Sequence, residues 1–163
     1  MASDREALIR RYQSNIRLGG RYFIFFGLWS VIRAIMEITM KKEIMEMIYS
    51  VADVSEEDAL IFPYVIALIL TLIFIVVIGV HLFIGISAIR YSSGKSRDII
   101  FLILSAFIIG YLLVNIPLDL FGEGSVRAPQ IAAAVVDATM GFLLFDMIYS
   151  AVRINRLSKE AEE

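Results

Sequence analysis

The chain has 163 residues, 59% of them hydrophobic and 20% charged, with a net charge of −2 and a mean hydropathy of +0.78. Soluble domains usually sit near roughly 45–50% apolar, so this chain needs a non-aqueous surrounding, and its length predicts a single domain. The weak charge and the lack of a basic cluster with interleaved aromatics exclude nucleic acid as a partner. The absence of cysteine removes disulfides, thiolate metal sites and thiol nucleophiles.

The single histidine, His81, excludes any metal site needing two imidazoles from one chain, and the Walker and Rossmann glycine patterns are missing. No metal and no cofactor is expected.

Residues 1–18 read as a cytoplasmic amphipathic helix. Ser3 and Glu6 form a capping box, hydroxyl and carboxylate each accepting from a free backbone amide. Leu8, Ile9, Tyr12 and Ile16 make one apolar stripe, with Arg5, Arg10, Arg11 and Arg17 around the rest. Such a helix commonly lies on an anionic membrane face; the alternative is a docking site for a cytoplasmic partner. Gly19-Gly20 is expected to hinge into a first span at 21–40. Its apolar run, Tyr22 to Ile32, is short before Arg33 and Glu37 intrude. A signal peptide is the competing reading, disfavoured because a long mixed-charge segment precedes the run and no small-x-small site follows.

Residues 41–59 read as an acidic outer loop, with Ser55 and Asp58 capping the next helix. The span at 60–89 holds one ionisable side chain, His81, and exceeds the roughly 20 residues that cross hydrocarbon. It is expected to tilt or protrude, with a kink at Pro63. An inner loop at 90–98 carries Gly94. The third span, 99–118, is disturbed late by Pro117, and Gly122 and Gly124 break the chain in an outer loop at 119–130. Pro129 suits the first turn of the last span, 131–152, and 153–163 form a charged tail. Ser150-Ala-Val-Arg153 echoes Ser87-Ala-Ile-Arg90; a duplicated helical hairpin would leave such a trace, and chance similarity at two cytoplasmic helix ends is the preferred explanation.

Lysine and arginine are retained on the cytoplasmic side. Eleven of them fall in the N-terminal segment, the 90–98 link and the tail, against three in the two other loops. The expected fold is therefore an all-α integral membrane protein in the cell membrane. It is a multi-pass, four-transmembrane-helix up-down bundle with an N-terminal amphipathic interfacial helix and both termini cytoplasmic.

The informative residues are those that do not suit a bilayer. A charge at mid-membrane costs roughly 2.5–3.5 kcal/mol on insertion scales. Counting about 1.5 Å per residue from each cytoplasmic helix end sorts the polar residues into two layers. The outer layer holds Arg33, Glu37, Tyr111, Asn115 and Asp137, about 18–25 Å deep. The inner layer holds His81, Ser30, Ser105 and Asp146, about 10–13 Å deep.

Small and polar residues share faces on span 1 (Gly27, Ser30, Ala34, Glu37) and span 2 (Thr71, Ile78, His81, Gly85, Ala88), where helices approach closely. Ser105, Leu112, Asn115 and Asp119 share a face of span 3. On span 4, Asp137 and Gly141 lie on one face, while Asp146, nine residues on, lies opposite. A lone bundle would turn one of these carboxylates to lipid, which predicts a homo-oligomer formed through span 4.

Bland readings stand beside these. Arg33 and Glu37 pair along one helix, Asn115 bonds another helix or the carbonyl freed by Pro117, Asp119 is solvated, and His81 with Asp146 is interhelical glue. The sharper expectation is a small oligomeric transporter or channel for protons, a cation or a cationic solute. Asp137 and Glu37 bind, Arg33 tunes them, Tyr111 and Asn115 line the site, and His81, Asp146, Ser30 and Ser105 form an inner gate or relay. The alternative is an accessory or scaffold subunit of a larger membrane complex. An integral-membrane lipid-binding protein or enzyme ranks third, since no nucleophile, metal cage or cofactor motif is present.

Overall fold

The structure, a computed structural model, describes residues 2–40, 61–95, 98–121 and 128–160. Among these residues the chain is all-helical, with four helices and no strand: α1 (Ala2–Met40), α2 (Phe62–Ser92), α3 (Ile100–Phe121) and α4 (Ala128–Lys159). The Ser55–Asp58 cap and the breakers Gly122 and Gly124 lie outside the described residues.

All four helices are long and apolar enough to cross a membrane. Even α3, with 22 residues, reaches about 33 Å, slightly more than a hydrocarbon core of roughly 30 Å. Large apolar side chains face outward on each, among them Phe25, Leu68, Phe107 and Phe142. Contiguous apolar surface of this kind marks a face built for lipid or for a partner.

The chain forms two compact units, the first from residues 1–24 with 82–163, the second from residues 25–81. In the first, the Tyr91 ring lies 5.4 Å from the Phe101 ring, and its hydroxyl donates to Asn155 Oδ1 at 3.1 Å. Tyr91 thus joins the start of α3 to the end of α4. Midway along both, Gly141 faces Leu112, so α3 and α4 run antiparallel. The early part of α1 also packs on α4, with Tyr12 edge-on to Tyr149 at 6.3 Å and Gly19 beside Leu143 and Met147. Its other side meets α2, where Arg17 Nε donates to Ser92 Oγ at 3.5 Å and Gly20 abuts Gly85 and Ala88. The start of α1, the end of α2, the start of α3 and the end of α4 therefore gather at one end of this unit. Ile16, Phe23, Ile84, Phe101, Leu144 and Met147 fill it, each essentially inaccessible.

These contacts correct the expected hinge: Gly19-Gly20 is helical, within α1. A Cβ on Gly20 would sit 2.7 Å from the Gly85 carbonyl oxygen, so the missing side chain is what lets two helix backbones meet. Of the apolar stripe of this segment, Tyr12 packs on Tyr149 of α4 and Ile16 is buried, while Leu8 stays exposed.

The helix ends follow local chemistry. α2 closes in a Schellman motif, with Lys95 N–H to Arg90 C=O at 3.1 Å, Gly94 N–H to Tyr91 C=O at 3.0 Å, and Gly94 at φ +69°. Asp98 Oδ1 accepts from the Ile100 amide at 3.0 Å and caps α3. Pro63 and Pro129 each stand second in their helices, where a proline costs no hydrogen bond, so the kink expected at Pro63 has no cause. α3 continues past Pro117 to Phe121. The expected tail is helical as far as Lys159.

In the second unit, Gly27 of α1 lies against His81 of α2. A Cβ on Gly27 would come within 2.5 Å of His81 Cβ.

Candidate functional site

The outer-layer residues divide by helix. On α3, Asn115 Nδ2 donates to the Tyr111 hydroxyl at 3.0 Å, one turn away. This corrects the expected partner of Asn115, which is neither another helix nor the carbonyl freed by Pro117. Residues four apart stack on one helix face, and the tyrosine offers an acceptor at the right reach.

On α4, Asp137 is half-buried and lies on the face that buries Ala134, Met140 and Leu144. One turn further along that face, Gly141 meets Leu112. Because α3 and α4 are antiparallel, one turn back from Gly141 and one turn forward from Leu112 reach the same level. Asp137 therefore stands level with the Tyr111–Asn115 pair of α3. Arg33 is half-buried on α1 in the second unit, and of Glu37 only the helical backbone is described.

The inner-layer hydroxyls are satisfied locally. Ser105, fully buried, donates to Phe101 C=O at 2.7 Å, and Ser30 donates to Phe26 C=O at 2.9 Å. These i−4 bonds are the usual resource of serine in an apolar helix. His81 is buried, and its Nδ1 lies 2.8 Å from Val77 C=O; a carbonyl only accepts, so Nδ1 carries the proton there. His81 belongs to the second unit and Asp146 to the first.

Asp146, on the other face of α4, is also half-buried. Asp146, Ser150 and Arg153 step by four and three along one face, and Tyr149 beside them meets Tyr12 of α1. Both carboxylates are half-buried within one chain, Asp137 toward α3 and Asp146 toward α1.

The same face ends in a polar cluster that sequence reasoning noticed only as an echo. Arg153 places its guanidinium carbon 5.9 Å from the Tyr149 ring centroid, with the Tyr12 hydroxyl beside it. Its Nε is buried without an acceptor, and so is Ser150 Oγ, one turn earlier, on a residue with no exposed surface.

No protein-family model matches this chain, and neither the curated proteins nor the solved structures contain a match to it.

Proposed function

We propose that this chain is a multi-pass membrane protein, an up-down bundle with both termini in the cytoplasm, that carries or conducts protons, a cation or a cationic solute through Asp137. The observation that supports it is the position of Asp137, half-buried mid-way along an apolar helix and level with the Tyr111–Asn115 pair. A carboxylate at such depth is retained where it pairs inside the bundle or meets a watery path. Tyr111 and Asn115 add neutral oxygens suited to a cation. The orientation is supported by the gathering of the basic N-terminal segment, the 90–98 link and the tail at one end of the first unit.

Proteoliposomes test this with proton and monovalent-cation gradients. The parent chain should dissipate at least one gradient, and Asp137→Asn should lose at least about tenfold of that rate, the usual scale for a lost charged contact. A parent chain inert under every gradient would end the reading. A second reading, an accessory or scaffold subunit, is favoured by one observation. The hydroxyls of Ser30, Thr71, Ser105 and Thr139 all bond carbonyls of their own helices, as packing residues do. An inert parent that co-purifies with a stable membrane partner would support it.

A further inference from the structure

The polar cluster at the end of α4 is short of an acceptor. Ser150 Oγ and Arg153 Nε are buried one turn apart on one helix face, and neither has a hydrogen-bond partner. Other hydroxyls in these apolar helices turn back to the carbonyl four residues earlier, as at Ser30, Ser105 and Thr139. Ser150 does not, although it is fully buried. A buried polar group left unpaired costs free energy, and a charged one costs more, so native structures rarely leave two together.

The surroundings specify the missing acceptor. Both orphan groups can donate, and one belongs to a cation. The neighbours Tyr12 and Tyr149 are neutral; the Tyr12 hydroxyl oxygen accepts from the Arg153 guanidinium, not from its Nε, and keeps its own proton to donate. The carboxylates nearest along α4 stand on the same face but seven residues away on either side, at Asp146 and Glu160. Arg17 and Arg156 add positive charge at the same end of the first unit, and both are exposed. At this end the apolar run of α4 stops, at Val152 before Arg153, the level at which a bilayer places its phosphates. A water would satisfy the hydrogen bonds but bring no negative charge, and Glu160, which attracts Arg153, supplies no acceptor to Nε or to Ser150. A phosphate oxygen satisfies both, and the Nε edge of a guanidinium is one side of its phosphate-binding fork.

We propose that Arg153, Ser150 and Tyr12 form a binding site for a phosphate-ester anion, the headgroup phosphate of an anionic lipid or a soluble phosphate compound, at the shared end of α1 and α4. The site is independent of what Asp137 does. Basic pockets between transmembrane helices hold lipid headgroups in this manner on the cytoplasmic side.

The test compares thermal protection of the detergent-solubilised full chain by phosphatidylglycerol, by phosphatidylcholine and by inorganic phosphate. Ser150→Ala and Tyr12→Phe are the decisive variants, because they leave the net charge unchanged and a diffuse basic collar would not notice them. Each should weaken the protecting anion about three- to tenfold, and Arg153→Gln about tenfold or more. Arg156→Gln, on the exposed side, should change it by no more than about fivefold.

Ser150→Ala also removes a buried orphan group, so without added anion it should melt no lower than the parent, which separates binding from folding. Protection by phosphatidylglycerol alone assigns a lipid headgroup, and protection by inorganic phosphate as well assigns a soluble phosphate compound; either supports the site. Equal protection by phosphatidylglycerol and phosphatidylcholine, or the parent's preference retained in both Ser150→Ala and Arg153→Gln, overturns it.

Discussion

Two adjacent glycines give opposite predictions, and the difference measures whether α1 and α2 touch through backbone. A Cβ on Gly20 would lie 2.7 Å from the Gly85 carbonyl oxygen and 3.0 Å from Ala88 Cβ. Ordinary contact begins near 3.4 Å, so Gly20→Ala must part the helices by about 0.7 Å, and the obstacle is backbone that cannot rotate aside. Overfilling a fitted contact costs about 1–3 kcal/mol. Replacing glycine in a helix interior gains up to about 1 kcal/mol. The net for Gly20→Ala is a loss of up to about 3 kcal/mol, near the middle of that span when both effects act at their usual size.

Gly85→Ala should behave alike, since its Cβ would meet Ile24 and lie 2.6 Å from the Gly20 carbonyl. At Gly19 the nearest atom is 3.6 Å away, and at Gly79 and Gly110 nothing lies within 4 Å, so alanine there should be neutral or gain up to about 1 kcal/mol. Denaturant unfolding in detergent, followed by helical circular dichroism and by the fluorescence of the single tryptophan, Trp29, gives all five values. If Gly20→Ala is as stable as Gly19→Ala, the seam does not exist and the pair is the hinge that sequence suggests.

Further outcomes follow from the same geometry. Gly27→Ala should cost about 1–3 kcal/mol through its clash with His81, and less in a His81→Ala background, where the double-mutant cycle should show coupling of at least about 0.5 kcal/mol. Gly94→Ala should cost about 1 kcal/mol, because φ +69° is a conformation that alanine resists; unchanged unfolding would dismiss the Schellman closure of α2.

The elements legible in the sequence were those set by hydropathy and by helical periodicity. Spans 2, 3 and 4 announced themselves as apolar runs of sufficient length. The small-residue faces carrying Gly27 on α1 and His81, Gly85 and Ala88 on α2 are the faces that make close contacts. The errors share one origin, which is that a stripe states what it needs but not what supplies it. The apolar edge of residues 8–16 fits a lipid surface or a neighbouring helix equally, and here Tyr12 and Ile16 pack inside the first unit. A glycine pair reads as freedom in one chain and as room for another backbone in a fold. Asn115 sits four residues after Tyr111, and that spacing alone carries its bond, whereas a lone asparagine in an apolar helix suits another helix or a freed carbonyl equally well. The cluster at Ser150 and Arg153 depended on Tyr12 arriving from the far end of the sequence, which no local pattern foretells.

The proposed topology would bring both termini and the 90–98 link to one cytoplasmic end through four crossings, and the absence of cysteine makes that directly measurable. Single cysteines at the exposed positions Ser14, Ser93 and Ser158, and one at Ser55, would each be the only thiol in the chain. A membrane-impermeant maleimide applied to intact cells should label Ser55→Cys and leave the other three silent until the membrane is opened. Labelling of Ser93→Cys in intact cells while Ser14→Cys stays silent would place the link and the N-terminus on opposite sides, and the account would fall.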